Sequence, residues 1–220
     1  MESRLKLIYD AASALFINKG YSRTQIKDIA KEIGLSTGML YVYFTGKQEI
    51  LNFLLKCTID PDFIHQDFEL PITNKLFDGL EKEIYARFEE NSKSFARHLE
   101  QKDKSFERLI SDAFDIISRY GTGCLLIEKN PQETGMLFEY YSNYRRKFFE
   151  QMLGYLKLYM HEGIIREVKH PHYVCQLIIE NLAWWGMHVM NDAFELQKNI
   201  PVTTAKDVCM DNILHAYLKP

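Results

Sequence analysis

Apolar residues recur along this chain at three- and four-residue steps, the spacing that places side chains on one face of an α-helix. The first stripe consists of Leu5, Ile8, Ala12, Leu15 and Phe16. It predicts a helix of about 17 residues. Lys19 and Gly20 are expected to end this helix, because a cation suits the C-terminal dipole and glycine adopts the left-handed stop conformation.

Two short helices are predicted next, with a glycine between them. The first runs from about Gln25 to Ile33 with Thr24 as its cap, and the second runs from Ser36, also a cap, to about Phe44. Gly34 lies in the turn between them. Gly46 then precedes an amphipathic helix that begins at Lys47 and must end or bend at Pro61.

The remaining stretches have the same helical period. One long helix is predicted from about Ile72 to Leu99, and a second from Phe106 to Tyr120, with Gly121 and Gly123 as breaks. The later predicted helices are Leu137 to Tyr159, closed by Gly163, Pro171 to about Ala193, and about Thr204 to Leu218. No alternating pattern indicates a strand, so the sequence predicts an all-α protein of about nine or ten helices.

Composition narrows the class of protein without naming a function. The chain is 46% hydrophobic and 26% charged, which is typical of a soluble globular protein. Residues 1–50 carry a net charge of +2 and the remainder −5, so the N-terminal segment is the part suited to a polyanion. No apolar run approaches 18 residues, and four scattered cysteines indicate reduced thiols; we therefore expect a cytoplasmic protein with no membrane span.

A short helix, a tight turn and a second short helix are the geometry that places a recognition helix in a DNA major groove. The outward face of the second predicted helix carries hydroxyls and bare backbone where soluble helices usually carry Glu or Lys. Tyrosine hydroxyls and Lys47, at a helix N-terminus, are suited to phosphates. The predicted DNA-binding residues are Thr24, Gln25, Ser36, Thr37, Gly38, Tyr41, Tyr43 and Lys47. Packing of Tyr41 and Tyr43 between helices is the alternative.

These residues stand in a register that resembles the N-terminal signature of the TetR family of bacterial transcription regulators. The matching positions include Ala11-Ala12, Phe16, Lys19-Gly20-Tyr21, Thr24, Ile29-Ala30, Ile33-Gly34-Leu35-Ser36, Gly38, Leu40-Tyr41, Tyr43-Phe44, Lys47 and Leu51. Gln25 and Gly46 depart from the usual residue types. The stretch between Ile59 and Gln101 is longer than the family's usual connection at that point.

The resemblance implies an N-terminal three-helix DNA-binding bundle over residues 1–55 and a C-terminal helical domain over 56–220 for dimerisation and ligand binding. It implies a homodimer, usually a repressor, that binds a palindromic operator and is released by a small molecule. We expect the helices near 171–193 and 204–218 to form the dimer contact. A DNA-binding architectural or division-type protein without a ligand is the alternative, and an enzyme is a more remote one.

Of the 29 aromatic residues, 22 follow residue 58, which would suit a cavity for a small, largely apolar or aromatic molecule. The candidate ligand-binding residues are Phe114, Tyr141, Tyr144, Phe148, Trp184 and His188. The alternative for each aromatic is an ordinary place in the core. His170, His172 and Cys175 have no metal-site spacing, and no catalytic motif is present, so we expect no metal, no cofactor and no enzymatic activity.

Overall fold

The computed structural model describes residues 4–192 and 200–219, and these residues form an all-α architecture. The α-helices are α1 Arg4–Asn18, α2 Ile26–Glu32, α3 Thr37–Tyr43, α4 Lys47–Ile59, α5 Leu80–Ala96, α6 Phe106–Lys129, α7 Pro131–Thr134, α8 Met136–His161, α9 Pro171–Ala183, α10 Val189–Asn191 and α11 Val202–Tyr217. A π-helical turn, Trp184–His188, joins α9 to α10. The predicted fold class is confirmed.

The predicted first helix is α1, and its predicted stripe faces the core. Ile8, Ala12 and Phe16 have no exposed surface. The helix ends as the sequence predicted, because Gly20 adopts a φ of +92° and its N–H bonds the carbonyl of Leu15 at 3.1 Å. This local stop turns the chain toward α2.

The helix predicted from Ile72 to Leu99 is wrong over its first turns. Residues 74–77 form a 3-10 turn, and Gly79 takes a φ of +85° before α5 begins at Leu80. The apolar spacing is real, but Ile72 meets a different partner: its N–H donates to the Tyr43 carbonyl at 2.8 Å, and its carbonyl accepts from the Thr45 N–H at 3.1 Å. The segment from Pro61 to Gly79 is therefore fastened to the end of α3.

The prediction that Gly121 and Gly123 break a helix is wrong, because α6 continues through both. They are sites of close approach instead. A β-carbon on Gly121 would lie 2.6 Å from Cβ of Met187, and one on Gly123 would lie 2.7 Å from Oγ1 of Thr58. Glycine costs helix propensity, but here it allows neighbouring elements to touch the backbone of α6.

The chain divides into two compact units. The first contains the described residues up to Arg87, together with Thr122–Glu139, Asn191 and Asp192; the second contains Phe88–Gly121, Tyr140–Met190 and residues 200–219. These units do not follow the predicted division at residue 55. That division stays a prediction about DNA-binding and dimerisation roles.

The second unit has a large core in which aromatic, aliphatic and cysteine side chains pack together. Phe106, Phe114, Ile178 and Cys209 are among its most buried members. The predicted last helices are present as α9 to α11, while the expected end near Ala193 lies outside the described residues. In the part of the chain that the structure describes, no helix is both long and apolar enough to cross a membrane.

Candidate nucleic-acid interface

The turn between α2 and α3 is fixed by backbone geometry. Gly34 has a φ of +69°, and the Leu35 N–H donates to the Ala30 carbonyl at 2.8 Å. Ser36 then caps α3 by accepting from the Met39 N–H at 3.2 Å. These bonds set the start and direction of α3 without any contribution from the exposed face of that helix.

The exposed face of α3 is neutral. Leu40 is buried and holds the helix in place, whereas Thr37, Gly38, Tyr41 and Val42 face outward. The side chains of Tyr41 and Val42 are 50% and 52% exposed. Val42 is missing from the residues predicted from sequence, because a valine in a short helix is ordinarily assigned to the core.

Gly38 has no internal packing reason to be glycine. Its φ is not in the left-handed region, and a β-carbon there would meet, among the described residues, Oγ of Ser36 at an ordinary 3.9 Å. Alanine would also be the better helix former at this position. No close contact within the described residues therefore requires glycine at position 38.

Gln25 is exposed and precedes α2, and Asp28 organises the main chain around it. The Asp28 carboxylate accepts from the Gln25 N–H at 3.0 Å and from the Lys19 ammonium at 2.6 Å. The Lys19 contact first, and then the Gln25 N–H, lower the pKa of Asp28. An ionised Asp28 therefore fixes the start of α2 and leaves the Gln25 side chain on the surface.

Thr24 does not occupy the position expected of a DNA contact. Its side chain is fully buried, and its hydroxyl donates to the Gly20 carbonyl at 2.8 Å. It is not the cap of α2 either, since the cap position belongs to Gln25. The hydroxyl stabilises the α1–α2 turn, because burial without a hydrogen bond would be costly.

Lys47 also departs from its expected role as a phosphate contact. Its ammonium donates to the carbonyls of Tyr21 and Thr24 at 2.8 and 2.9 Å and lies 4.0 Å from the centre of the Tyr21 ring. Burial lowers the pKa of Lys47, and the carboxylate of Glu133 opposes that shift. With its charge directed inward, Lys47 braces the α1–α2 turn against the start of α4.

Exposed cations are present elsewhere on the same bundle. Lys27 and Lys31 lie four residues apart on α2, and Arg23 precedes that helix. Their spacing could have identified them from the sequence, because cations at i and i+4 share one face of a helix. These three side chains are exposed, whereas the ammonium of Lys47 is directed inward.

Asn130 fastens the α1–α2 turn from behind. This side chain is only 2% exposed, and its Oδ1 accepts from the Tyr21 N–H at 2.7 Å. Its Nδ2 donates to the carbonyls of Phe16 and Leu126 at 3.1 and 2.9 Å. No pattern in the sequence indicates this role, because asparagine beside a helix end is common.

The remaining predicted site residues lie either at α3 or in the second unit. Tyr43 is half-buried and Ser36 is exposed at the start of α3. Phe114 and Phe148 are buried in the core of the second unit, and Tyr141 is buried beside Phe88. Tyr144 stacks on Phe88 with ring centres 5.1 Å apart, and Trp184 stacks on His188 at 5.6 Å.

No arrangement in residues 4–192 and 200–219 places three or more His, Cys, Asp or Glu side chains as a metal site. His172 packs edge-on against the Phe149 ring, with centroids 4.7 Å apart. All four cysteines are buried without a disulfide.

Known proteins resemble this chain most strongly in the segment described above. Residues 8–53 match the family described as bacterial regulatory proteins, tetR family. The HTH-type transcriptional regulator YuxN of Bacillus subtilis is 40% identical over 63 residues, which cover 29% of this chain and 22% of YuxN. The HTH-type transcriptional regulator HbdR of an Aromatoleum species is 43% identical over 60 residues, which cover 27% of this chain and 26% of HbdR. The matches thus span about a quarter of the length of these relatives.

Two solved structures share the fold along nearly the whole chain. The ketosteroid transcriptional regulator KstR2 of Mycobacterium tuberculosis has a TM-score of 0.55 and 20% identity, covering 100% of this chain and 97% of that one. The probable transcriptional regulatory protein RHA5900 has a TM-score of 0.56 and 17% identity, covering 99% and 100%. At such low identity these likenesses concern the fold alone.

Proposed function

We propose that the chain is a sequence-specific DNA-binding transcription regulator of the TetR type, because residues 8–53 match the tetR family of bacterial regulatory proteins. It acts as a homodimeric repressor and leaves a palindromic operator when it binds a small, largely apolar or aromatic ligand. The observation that carries the DNA-binding part is the neutral, exposed face of α3, capped by Ser36 and held by a buried Leu40. Such a face suits insertion into a major groove.

Phosphate binding is tested on the exposed cations of α2. The purified chain should shift a palindromic duplex from the promoter region of its own gene. Lys27→Ala and Lys31→Ala should each weaken binding and reduce the slope of log affinity against log salt by about one, because each removes one phosphate contact. Lys157→Ala, an exposed lysine on α8, is the matched control.

Lys47→Ala provides a second comparison. Since its ammonium bonds two carbonyls of the α1–α2 turn, its loss should lower the stability of the chain and leave the salt slope of residual DNA binding unchanged. A reduced salt slope with unchanged stability would instead show that Lys47 contacts a phosphate. Unchanged affinity and slope in the Lys27→Ala/Lys31→Ala double variant would refute the α2 assignment.

Homodimerisation is supported by an exposed apolar stripe on α9 and the following turn. Tyr173, Leu177 and Trp184 are all exposed there, and Val208 is exposed on α11. Asn181 on α9 donates to Asn212 on α11 at 3.3 Å, so the two helices lie together. Large apolar side chains exposed on neighbouring helices are typical of a protein interface. The exposure of Trp184 favours a place in this interface over a ligand pocket.

Sedimentation measures the predicted dimer directly. Leu177→Glu should yield a folded monomer that binds the palindrome more weakly, because Leu177 is 60% exposed and its replacement disturbs no core. Leu76→Glu, at a 49% exposed leucine in the first unit, should remain dimeric. A dimer that survives the Leu177→Glu change would refute this interface.

Ligand response is supported by the aromatic side chains of the second unit. Phe88 contacts the rings of both Tyr141 and Tyr144, and Tyr144 stacks toward Phe148 at 6.3 Å. A set of flat apolar molecules should be screened by thermal shift, because specific binding raises stability by mass action. A binder should release the duplex, and Tyr144→Ala should weaken that response. A chain that binds the palindrome and responds to none of the molecules would favour the architectural alternative.

A further inference from the structure

The chemistry of α3 limits which bases this helix can read. In the major groove, Arg or Lys recognises guanine, Asn or Gln recognises adenine, and Asp or Glu accepts from cytosine. The seven residues of α3 are TGMLYVY, and none belongs to these types. Serine and threonine hydroxyls can bond either kind of base edge, so the hydroxyl of Thr37 does not select one base. The base-selective mode of direct readout that α3 can supply is apolar contact with the 5-methyl group of thymine.

The exposed side chains of α3 supply that apolar contact. Thr37 and Tyr41 lie one turn apart, as do Gly38 and Val42, so these residues form two adjacent rows on the outward face. Val42 is 52% exposed, and Thr37 contributes a second methyl group. Gly38 lies between them and carries no side chain, which allows the backbone itself to approach a base pair.

The helix is also held firmly enough for methyl groups to be discriminated. At its start, Ser36 accepts from the Met39 N–H at 3.2 Å. At its end, Ile72 bonds the main chain of Tyr43 and Thr45 at 2.8 and 3.1 Å. An apolar contact is not directional as a hydrogen bond is. It can therefore distinguish a methyl group only when the protein surface that meets the methyl group is held in place.

We propose that α3 reads thymine methyl groups, so the operator base pairs that face α3 are A·T. Val42 and Thr37 contact the methyl groups across the bare backbone of Gly38, and α3 makes no guanine contact. Affinity for phosphates comes from the exposed cations of α2. This inference rests on the proposed DNA-binding function and specifies the sequence class of its operator.

The first experiment selects tight-binding duplexes from a random-sequence pool with the purified full-length chain. The selected half-sites should be rich in thymine, and each thymine is then replaced in turn by deoxyuridine, which removes only the 5-methyl group. At thymines that α3 reads, affinity should fall about fourfold per methyl, the effect of one buried methyl group. The salt slope should stay unchanged, because no phosphate contact is lost.

A variant then assigns the contact to its residue. At one of the sensitive positions, Val42→Ala should bind the duplex with thymine and the duplex with deoxyuridine about equally well, since the methyl group of that thymine has lost its protein partner. Val202→Ala, at a 45% exposed valine that begins α11, should retain the full difference. Circular dichroism and thermal melting confirm that both variants fold.

The outcomes separate the two proposals. Selected sites in which no thymine is sensitive to deoxyuridine, or a Val42→Ala variant that keeps every sensitivity, overturn methyl reading while DNA binding stands. Recovery of no preferred sequence from the pool overturns the proposed regulator itself, and methyl reading with it.

Discussion

Replacing the buried Asn130 by alanine should destabilise the first unit more than the loss of any exposed or half-buried polar side chain of the α1–α2 turn. The side chain is 2% exposed and makes three hydrogen bonds, all to main-chain groups of Tyr21, Phe16 and Leu126. No other predicted role competes with this structural one.

The magnitude follows from those three bonds. Each contributes about 0.5–1.5 kcal/mol net, and a buried donor left without a partner, here the Tyr21 N–H, costs about 1–3 kcal/mol. Because these terms overlap, Asn130→Ala should lower the free energy of unfolding by about 2–4 kcal/mol. Asn130→Asp should not rescue it: the carboxylate can still accept from Tyr21 but faces two carbonyl oxygens in place of donating to them.

Urea unfolding followed by circular dichroism provides the assay, with Asn143→Ala on an exposed position of α8 as the control. The Asn143 variant should unfold within about 0.5 kcal/mol of the wild type. Asn130→Ala should also weaken DNA binding, because the α1–α2 turn loosens. A change in unfolding free energy below about 1 kcal/mol for Asn130→Ala would show that its three hydrogen bonds do not hold the α1–α2 turn.

Three further predictions follow from individual contacts. Gly38→Ala should raise the melting temperature slightly, since it adds up to about 1 kcal/mol of helix propensity. It should nevertheless weaken operator binding roughly tenfold. Equal affinity of variant and wild type in a gel-shift titration would contradict a close approach of the α3 backbone to the DNA. Gly123→Ala should destabilise the chain by about 1–3 kcal/mol through its clash with Thr58, and Thr58→Ala should restore part of that loss in urea unfolding. Burial lowers the pKa of His98, and the carboxylate of Asp112 opposes that shift. Below about pH 6.5 the unfolded chain therefore binds more protons than the folded one, so the free energy of unfolding should fall as the pH decreases. His98→Gln should flatten that decline, and an unaltered pH profile of unfolding would exclude His98 as its source.

The elements around α3 were largely predictable from the sequence. The glycine stop of α1, the positive φ of Gly34, the Ser36 cap and the start of α4 at Lys47 all agree with the predicted positions. These features depend on residues within one or two turns of each other, so local spacing carries the necessary information.

The roles of individual polar residues in the candidate interface were less predictable. Thr24 and Lys47 have the right residue types for DNA contact, but the fold turns both toward main-chain carbonyls. Asn130 lies more than a hundred positions from the turn that it holds. No periodic pattern in the sequence records which distant carbonyl or N–H a side chain will meet.

Helix period, capping and glycine stops are local properties of the chain, so the all-α class and the residue types of α3 follow from the sequence alone. Which residues remain exposed depends on the fold. It buried Thr24, directed Lys47 inward, left Val42 exposed and joined Ile72 to the end of α3. The physical reason is that burial and hydrogen-bond pairing depend on partners brought together by folding, whatever their separation in the chain.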